Sequence, residues 1–376
     1  MYNRITFQPK RGSRAAVKLM VLIVIIIFVS QMTILSQSLP AIPSKSNTFN
    51  IYLVTGGAGF VGSHLVDRLL QSNAAVILLD NFNNYYPSKI KRNNVAYLRA
   101  RHPNSTLIVI QGSITDAQLL KTIFATYDIT HIAHLAALPG VRSSTLAMND
   151  YTETNTVGTQ LLLEMAASSR RLPLFVFTST SSVYGQTNKI PFVETDPSVQ
   201  PISPYAASKR SAELFAHVYH KLHSLNVTIL RLFNVYGPRG RPDMMPFKLM
   251  SACLDPSRTV DVHDNGEMQR DWTYVEDVVD ALIEALKRPL GYEIINIGYG
   301  TPIKLNRFVK EMEQVSHRHI RVQMKKSYRT EPSITHCDNR KARRLLNFSP
   351  KTNVSEGLRR SWLWFQQEYG ANQVIP

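Results

Sequence analysis

The chain has 376 residues, 44% of them hydrophobic, enough for a large buried core. Lys and Arg outnumber Asp and Glu by 43 to 27, a formal charge of +16, but no nucleic-acid motif accompanies that excess. It is read instead as serving anionic small molecules or a membrane surface, and the two cysteines, Cys253 and Cys337, exclude a disulfide-stapled scaffold.

The first 18 residues carry Arg4, Lys10, Arg11, Arg14 and Lys18 and no acid. Leu19 to Val29 is unbroken apolar sequence, and the apolar character continues to Leu35, about 17 residues in the range of a short membrane span. A basic tail before such a run predicts a type II signal anchor: a cytosolic tail over 1–18, a transmembrane helix over 19–35 and a stem over 36–49. The expected location is the Golgi membrane with a lumenal catalytic body. A cleaved secretory signal, cut between Ser36 and Ala41, is the competing reading.

Ile51–Thr55 is a β-rich run, followed by Gly56-Gly57-Ala58-Gly59-Phe60-Val61-Gly62 and then by Leu65, Val66, Leu69 and Leu70 at helical spacing. Strand, glycine turn and helix in that order form a phosphate cradle, because the glycines let the backbone approach a pyrophosphate at a helix N-terminus. The next run, Ala75–Leu79, ends in Asp80, placed to bond the ribose hydroxyls of NAD and to repel the 2′-phosphate of NADP. Leu107–Ile110, His131–His134 and Leu174–Phe177 read as further strands, with helices over 115–127 and 148–169 between them. This alternation predicts an α/β fold with a doubly wound parallel sheet. His131 and His134 read as strand-packing residues, and no ligand spacing suggests a metal.

Thr178 to Ser182 then falls just past a strand's carboxyl end, where such sheets bind ligands. Tyr205 and Lys209 are four apart in a stretch free of Gly and Pro, on one face of a predicted helix. An ammonium beside a phenol favours its ionised form, which makes a proton acceptor; the Thr180 hydroxyl is placed to share that proton.

Together these stretches, with Asp80-Asn81, His134-Leu-Ala-Ala137 and Arg231-Leu-Phe-Asn-Val-Tyr-Gly-Pro238, resemble the extended short-chain dehydrogenase/reductases, the NAD-dependent sugar-nucleotide epimerases and dehydratases. The resemblance implies an NAD-binding part over 50–232 and a smaller nucleotide-sugar part over 233–376, interleaved with the sheet. It implies Gly56, Gly59, Phe60, Val61, Gly62, Asp80, Asn81, Ala136, Ala137, Tyr205 and Lys209 around NAD, with Asn155 supporting Lys209, and a homodimer paired through the Tyr205 helix. Within the family the likeness is closest to UDP-glucuronate 4-epimerases, through Asp80–Tyr86, Leu138–Arg142, Gly237–Met244 and Arg270–Asp277. That implies a UDP-sugar substrate, with Thr180, Ser181 and Asn234 near the sugar and Arg270 and Arg329 on the diphosphate. The C6 carboxylate falls first to Arg241 and second to Arg239, since a guanidinium grips a carboxylate bidentately.

Three departures from the family pattern stand out. Ser113 replaces an Asp that contacts adenine, Asn234 replaces the Thr of the uronate epimerases, and Thr330-Glu331 replaces Gly-Asp. Asn234 keeps a UDP-glucose/UDP-galactose 4-epimerase open as the alternative, and a non-catalytic nucleotide-sugar-binding protein is the reading from another class. Before Val183-Tyr184-Gly185 stand Ser181 and Ser182, where related decarboxylases carry Glu and 4,6-dehydratases carry Asp-Glu. The expected reaction is therefore epimerisation at C4 through a transient ketone, without elimination.

Overall fold

The computed structural model describes residues 39–40, 50–187, 189–326, 331–370 and 375–376. The chain divides into two units, residues 1–41 and 42–376, and the fold is that of the second. At its centre lie β1 (Ile51–Thr55), β2 (Ala75–Asp80), β3 (Leu107–Gln111), β4 (His131–His134), β5 (Leu174–Thr180) and β6 (Val227–Leu232), all parallel and joined by a seventh strand, Tyr292–Ile297. The spatial order is Tyr292–Ile297, β6, β5, β4, β1, β2, β3. The winding reverses between β1 and β4, which opens a crevice at the carboxyl ends of those strands.

Helices cover the sheet, so β2 and β4 are buried along their whole length, and β2 reads as a continuous apolar run up to Asp80. The helix Phe60–Gln71 buries Leu65, Val66, Leu69 and Leu70, the face its spacing predicts. His134 packs as expected: its ring stacks on Phe177 at 5.3 Å and bonds the hydroxyls of Thr55 and Thr159 at 2.7 and 2.9 Å. Burial, and then the Lys209 charge, hold it well below the usual histidine range and therefore neutral.

Beyond β6 the chain makes short strand pairs, Asn234–Tyr236 with Trp272–Tyr274 and Val260–His263 with Val322–Lys325, packed among helices. Trp272 stacks on Phe308 at 4.1 Å inside this part. The strand Tyr292–Ile297 leaves it to complete the main sheet, with Ile295 opposite Leu230.

The expected transmembrane helix and Golgi membrane are not retained. Residues 19–35 lie outside the described residues. Among the described residues no helix is long and apolar enough to cross a membrane. The longest, Pro204–His223, carries Lys209, Arg210, Glu213 and Lys221.

Candidate active site

One cavity of about 780 Å³ follows the crevice and continues beneath the part beyond β6. Its first wall is the turn after β1. Gly56 adopts φ +69, and a Cβ there would stand 2.7 Å from the Ala136 amide nitrogen, so only glycine lets this turn lie against the chain leaving β4. Gly59, Phe60, Val61 and Gly62 line the same wall. Asp80, 6% exposed, accepts from the Ala58 and Phe82 amides at 3.2 and 2.8 Å. Those bonds tie the glycine turn to the end of β2 and leave each carboxylate oxygen room for a further donor. Asn81, Ala136 and Ala137 complete this end.

The floor comes from β5 and the Pro204–His223 helix. Ser203 caps that helix by accepting from the Ala206 amide at 3.1 Å, which fixes where Tyr205 begins its first turn. Tyr205 and Lys209 both line the cavity, as do Thr180, Ser181 and Ser182. Thr180 Oγ1 accepts from the Ser182 amide at 3.1 Å. Lys209 as a residue is 2% exposed, and its ammonium lies 4.1 Å from the Phe177 ring centre. Burial pulls its pKa down to about 7 against the pull of Glu213.

Tyr205 stands on the same helix, one turn before Lys209. Burial raises the phenol's pKa; the Arg241 charge and a hydrogen bond with Thr180 work against that rise. Arg241 reaches the cavity from the Gly237–Met244 loop, and Asn234 and Arg270 line it as well. Arg270 donates to Glu331 at 3.2 Å, and Arg142 donates to the other oxygen of Glu331 at 2.7 Å. Burial alone would raise the Glu331 carboxyl, but the two guanidinium groups outweigh it and hold the pKa down.

Two sequence expectations change on geometry. Asn155 does not line the cavity: it accepts from the Leu138 amide at 2.7 Å and donates to the Leu138 carbonyl and to Ser208, the neighbour of Lys209, so it braces the loop and that helix turn and does not meet a ligand. Arg239 faces a second, smaller cavity, where its guanidinium lies over Tyr97 at 4.8 Å and 3.7 Å from Asp67. Its backbone is left-handed, φ +59, which sends its side chain away from the site that Arg241 enters. Arg329 lies outside the described residues. Sequence reasoning gave no role to Tyr85, Asp243, Arg142, Glu331 and Trp272, which also line the main cavity. The Trp272 Nε1–H is buried there without an acceptor among the described residues.

Comparison with known proteins places this constellation. The family described as GDP-mannose 4,6 dehydratase matches residues 53–361. The chain belongs to that family. The chain is similar to a UDP-glucuronate 4-epimerase of Thermodesulfobacterium geofontis, 37% identical over 317 residues, which cover 84% of this chain and 96% of that protein. The crystal structure of a Bacillus cereus UDP-glucuronic acid 4-epimerase in complex with UDP-glucuronic acid and NAD has a TM-score of 0.77. It is 35% identical, over 85% of this chain and 100% of that one. A Thermotoga maritima UDP-glucose 4-epimerase with UDP-glucose has the same TM-score at 30% identity, over 85% and 99%. The likeness also bears on location. The family body is one that bacterial proteins carry, so it is no evidence of a Golgi membrane, and that placement is withdrawn.

Proposed function

We propose that the protein is an NAD-dependent UDP-sugar 4-epimerase acting on UDP-glucuronate and UDP-galacturonate. The observation that carries this is the meeting of Tyr205, Thr180 and Lys209 with Arg241 in one cavity, in a family member whose relatives are UDP-glucuronate 4-epimerases. NAD fits the residues present. The glycine turn lines the cavity at the N-terminus of the Phe60–Gln71 helix, where a pyrophosphate is favoured, and the Lys209 ammonium in the same cavity can donate to a ribose hydroxyl. Bound there, NAD would take hydride from C4 of the sugar and return it to the opposite face.

The chain's own groups supply the rest. Tyr205 removes the proton of the 4-hydroxyl and later returns it; Thr180 orients the phenol, and Arg241 favours its ionised form. Arg270 binds the diphosphate. Dehydration finds no catalyst: Ser181 and Ser182 carry no carboxyl. The carboxylate beside Arg241, that of Asp243, is kept ionised, since Arg241 outweighs the effect of burial and leaves it no proton to give.

Incubation with UDP-glucuronate followed by NMR of the product tests the assignment. UDP-galacturonate is the expected product; absence of any uronate turnover overturns it. Tyr205→Phe should lower kcat by about 10²–10⁴-fold with the substrate still bound. A hexose substrate is the second reading, favoured by Asn234. We also infer a homodimer paired through the Pro204–His223 helix, whose Leu214, Val218 and Leu222 form an exposed apolar stripe.

A further inference from the structure

Three loops distant in sequence meet around Arg241. Its Nε donates to Oδ1 of Asp243 at 3.0 Å and its Nη2 to Oδ2 at 2.9 Å. From the strap after β2, the Tyr85 hydroxyl reaches the same Oδ2 at 3.3 Å, and the Tyr85 ring lies 5.8 Å from the guanidinium carbon. The Tyr85 hydroxyl also meets Ser143 Oγ at 3.1 Å, and Ser143 Oγ meets the Tyr151 hydroxyl at 2.8 Å. Tyr151 donates in turn to the Pro139 carbonyl at 2.5 Å. With Tyr85 donating to Asp243 and Tyr151 donating to Pro139, the single Ser143 proton serves one tyrosine oxygen at a time, so three hydrogen bonds and one close contact link Pro139 to Arg241.

The consequence is geometric. Asp243 occupies the side fork of the guanidinium, Nε with Nη2, while the end fork, Nη1 with Nη2, has no acceptor at Nη1 among the described residues. An arginine on a flexible stem would otherwise sample many orientations. A lone guanidinium would also leave a charge uncompensated beside a neutral sugar. Pairing with Asp243 removes that charge, so orientation, and not net charge, distinguishes the C6 groups.

We propose that Asp243 and Tyr85 are positioning residues that aim the free fork of Arg241, and that they thereby set both the preference for a uronate and its survival. This rests on the reading in which Arg241 holds the C6 carboxylate. The 4-keto uronate is a β-keto acid. When its C5–C6 bond aligns with the ketone π system, that bond's electron pair flows into the carbonyl, an enolate forms, CO₂ leaves, and C5 then takes a proton. A carboxylate gripped at a fixed angle by an aimed fork is kept out of that alignment; one gripped by a wandering arginine is not.

The test compares the full chain with Arg241→Gln, Asp243→Ala, Asp243→Asn and Tyr85→Phe. It reads kcat/KM for UDP-glucuronate, UDP-glucose as substrate or competitive inhibitor, and released CO₂. Arg241→Gln should lower uronate kcat/KM by about 100-fold and the hexose value by about tenfold or less, the smaller loss being that of its support for the Tyr205 phenolate. Asp243→Ala should reproduce that uronate-selective loss at about tenfold and raise the CO₂ share of turnover; Asp243→Asn should recover part of it. Tyr85→Phe should move both readouts in the same direction by less. Asp243→Ala that weakens uronate and hexose equally, or leaves both unchanged while Arg241→Gln is selective, overturns the positioning role. Arg241→Gln without a selective loss overturns the carboxylate reading beneath it, so the two failures are told apart.

Discussion

The Lys209 ammonium lies 4.1 Å from the centre of the Phe177 ring, and the residue is 2% exposed. Its pKa falls from the ordinary lysine value of 10.5 to about 7 because burial disfavours the charged form. The folded state then binds fewer protons than the unfolded one between those two values, so this group makes stability rise with pH across that window. Below it the full cost of burying the charge is present. Lys209→Met should therefore stabilise the protein at pH 6, by up to about 5 kcal/mol at about 1.4 kcal/mol per unit, and the gain should shrink by pH 9. Thermal unfolding of both proteins at the two pH values measures it; a gain independent of pH would refute this account.

A different buried charge stabilises the fold. Glu213 and Arg231 are 0% and 1% exposed at their side chains, and Arg231 donates to both Glu213 oxygens at 3.0 and 2.7 Å. Ser179 of β5 and Arg210 donate to the same carboxylate, so the pair joins two strands to the Tyr205 helix. Glu213→Gln strands the Arg231 charge and should cost about 3–5 kcal/mol, whereas Glu213→Leu combined with Arg231→Met should recover much of it. Denaturant midpoints of the two variants decide the matter.

These two lysine and arginine environments show where sequence reading reached and where it stopped. The strand, glycine turn and helix around Gly56 were legible because the whole device spans a dozen residues. The Tyr205 and Lys209 face was legible because helical periodicity is local. Arg231 was recognised only as part of a motif; its partner Glu213 is 18 residues away on another element. The Tyr85–Asp243 contact joins positions 158 apart, and the Arg142–Glu331 contact joins positions 189 apart. No spacing rule connects such residues. Arg239 was misplaced for a related reason: neighbourhood in a motif does not fix direction, and a left-handed backbone at Arg239 turns it away from the cavity that Arg241, two residues on, lines. What did carry information was that Asp80–Tyr86, Leu138–Arg142 and Gly237–Met244 all bear the same family likeness; the structure brings all three around one guanidinium.

Arg239 gives that correction a measurable form. Its Nη1 is buried without a partner, and its nearest carboxylate, Asp67, is already shared with His102 at 2.7 Å and Arg101 at 3.3 Å. Its Nε faces His64 Nε2 at 3.3 Å, but that nitrogen stands 2.8 Å from the Pro238 carbonyl and donates there. Removing so poorly satisfied a cation strands no counter-charge. Arg239→Met should change stability by no more than about 1 kcal/mol, with an increase the expected sign, and leave uronate turnover within about twofold. A loss comparable to that of Arg241→Gln would return Arg239 to the substrate.

The outer face of the Tyr205 helix carries the last expectation. Leu214, Val218 and Leu222 are 53%, 44% and 73% exposed at a spacing of four, a stripe facing away from the cavity. A helix that packs its other side on the sheet has no internal use for such a stripe, and pairing with the same helix of a second copy buries it isologously. A charge at its centre then faces its own image across the symmetry axis. Val218→Glu, and Leu214→Glu combined with Leu222→Glu, should therefore separate the copies while leaving each fold intact. Sedimentation of residues 42–376 should show the mass fall from twice that of one unit to once, with circular dichroism unchanged. A wild-type unit that sediments as a single copy at micromolar concentration would remove the stripe's assigned partner.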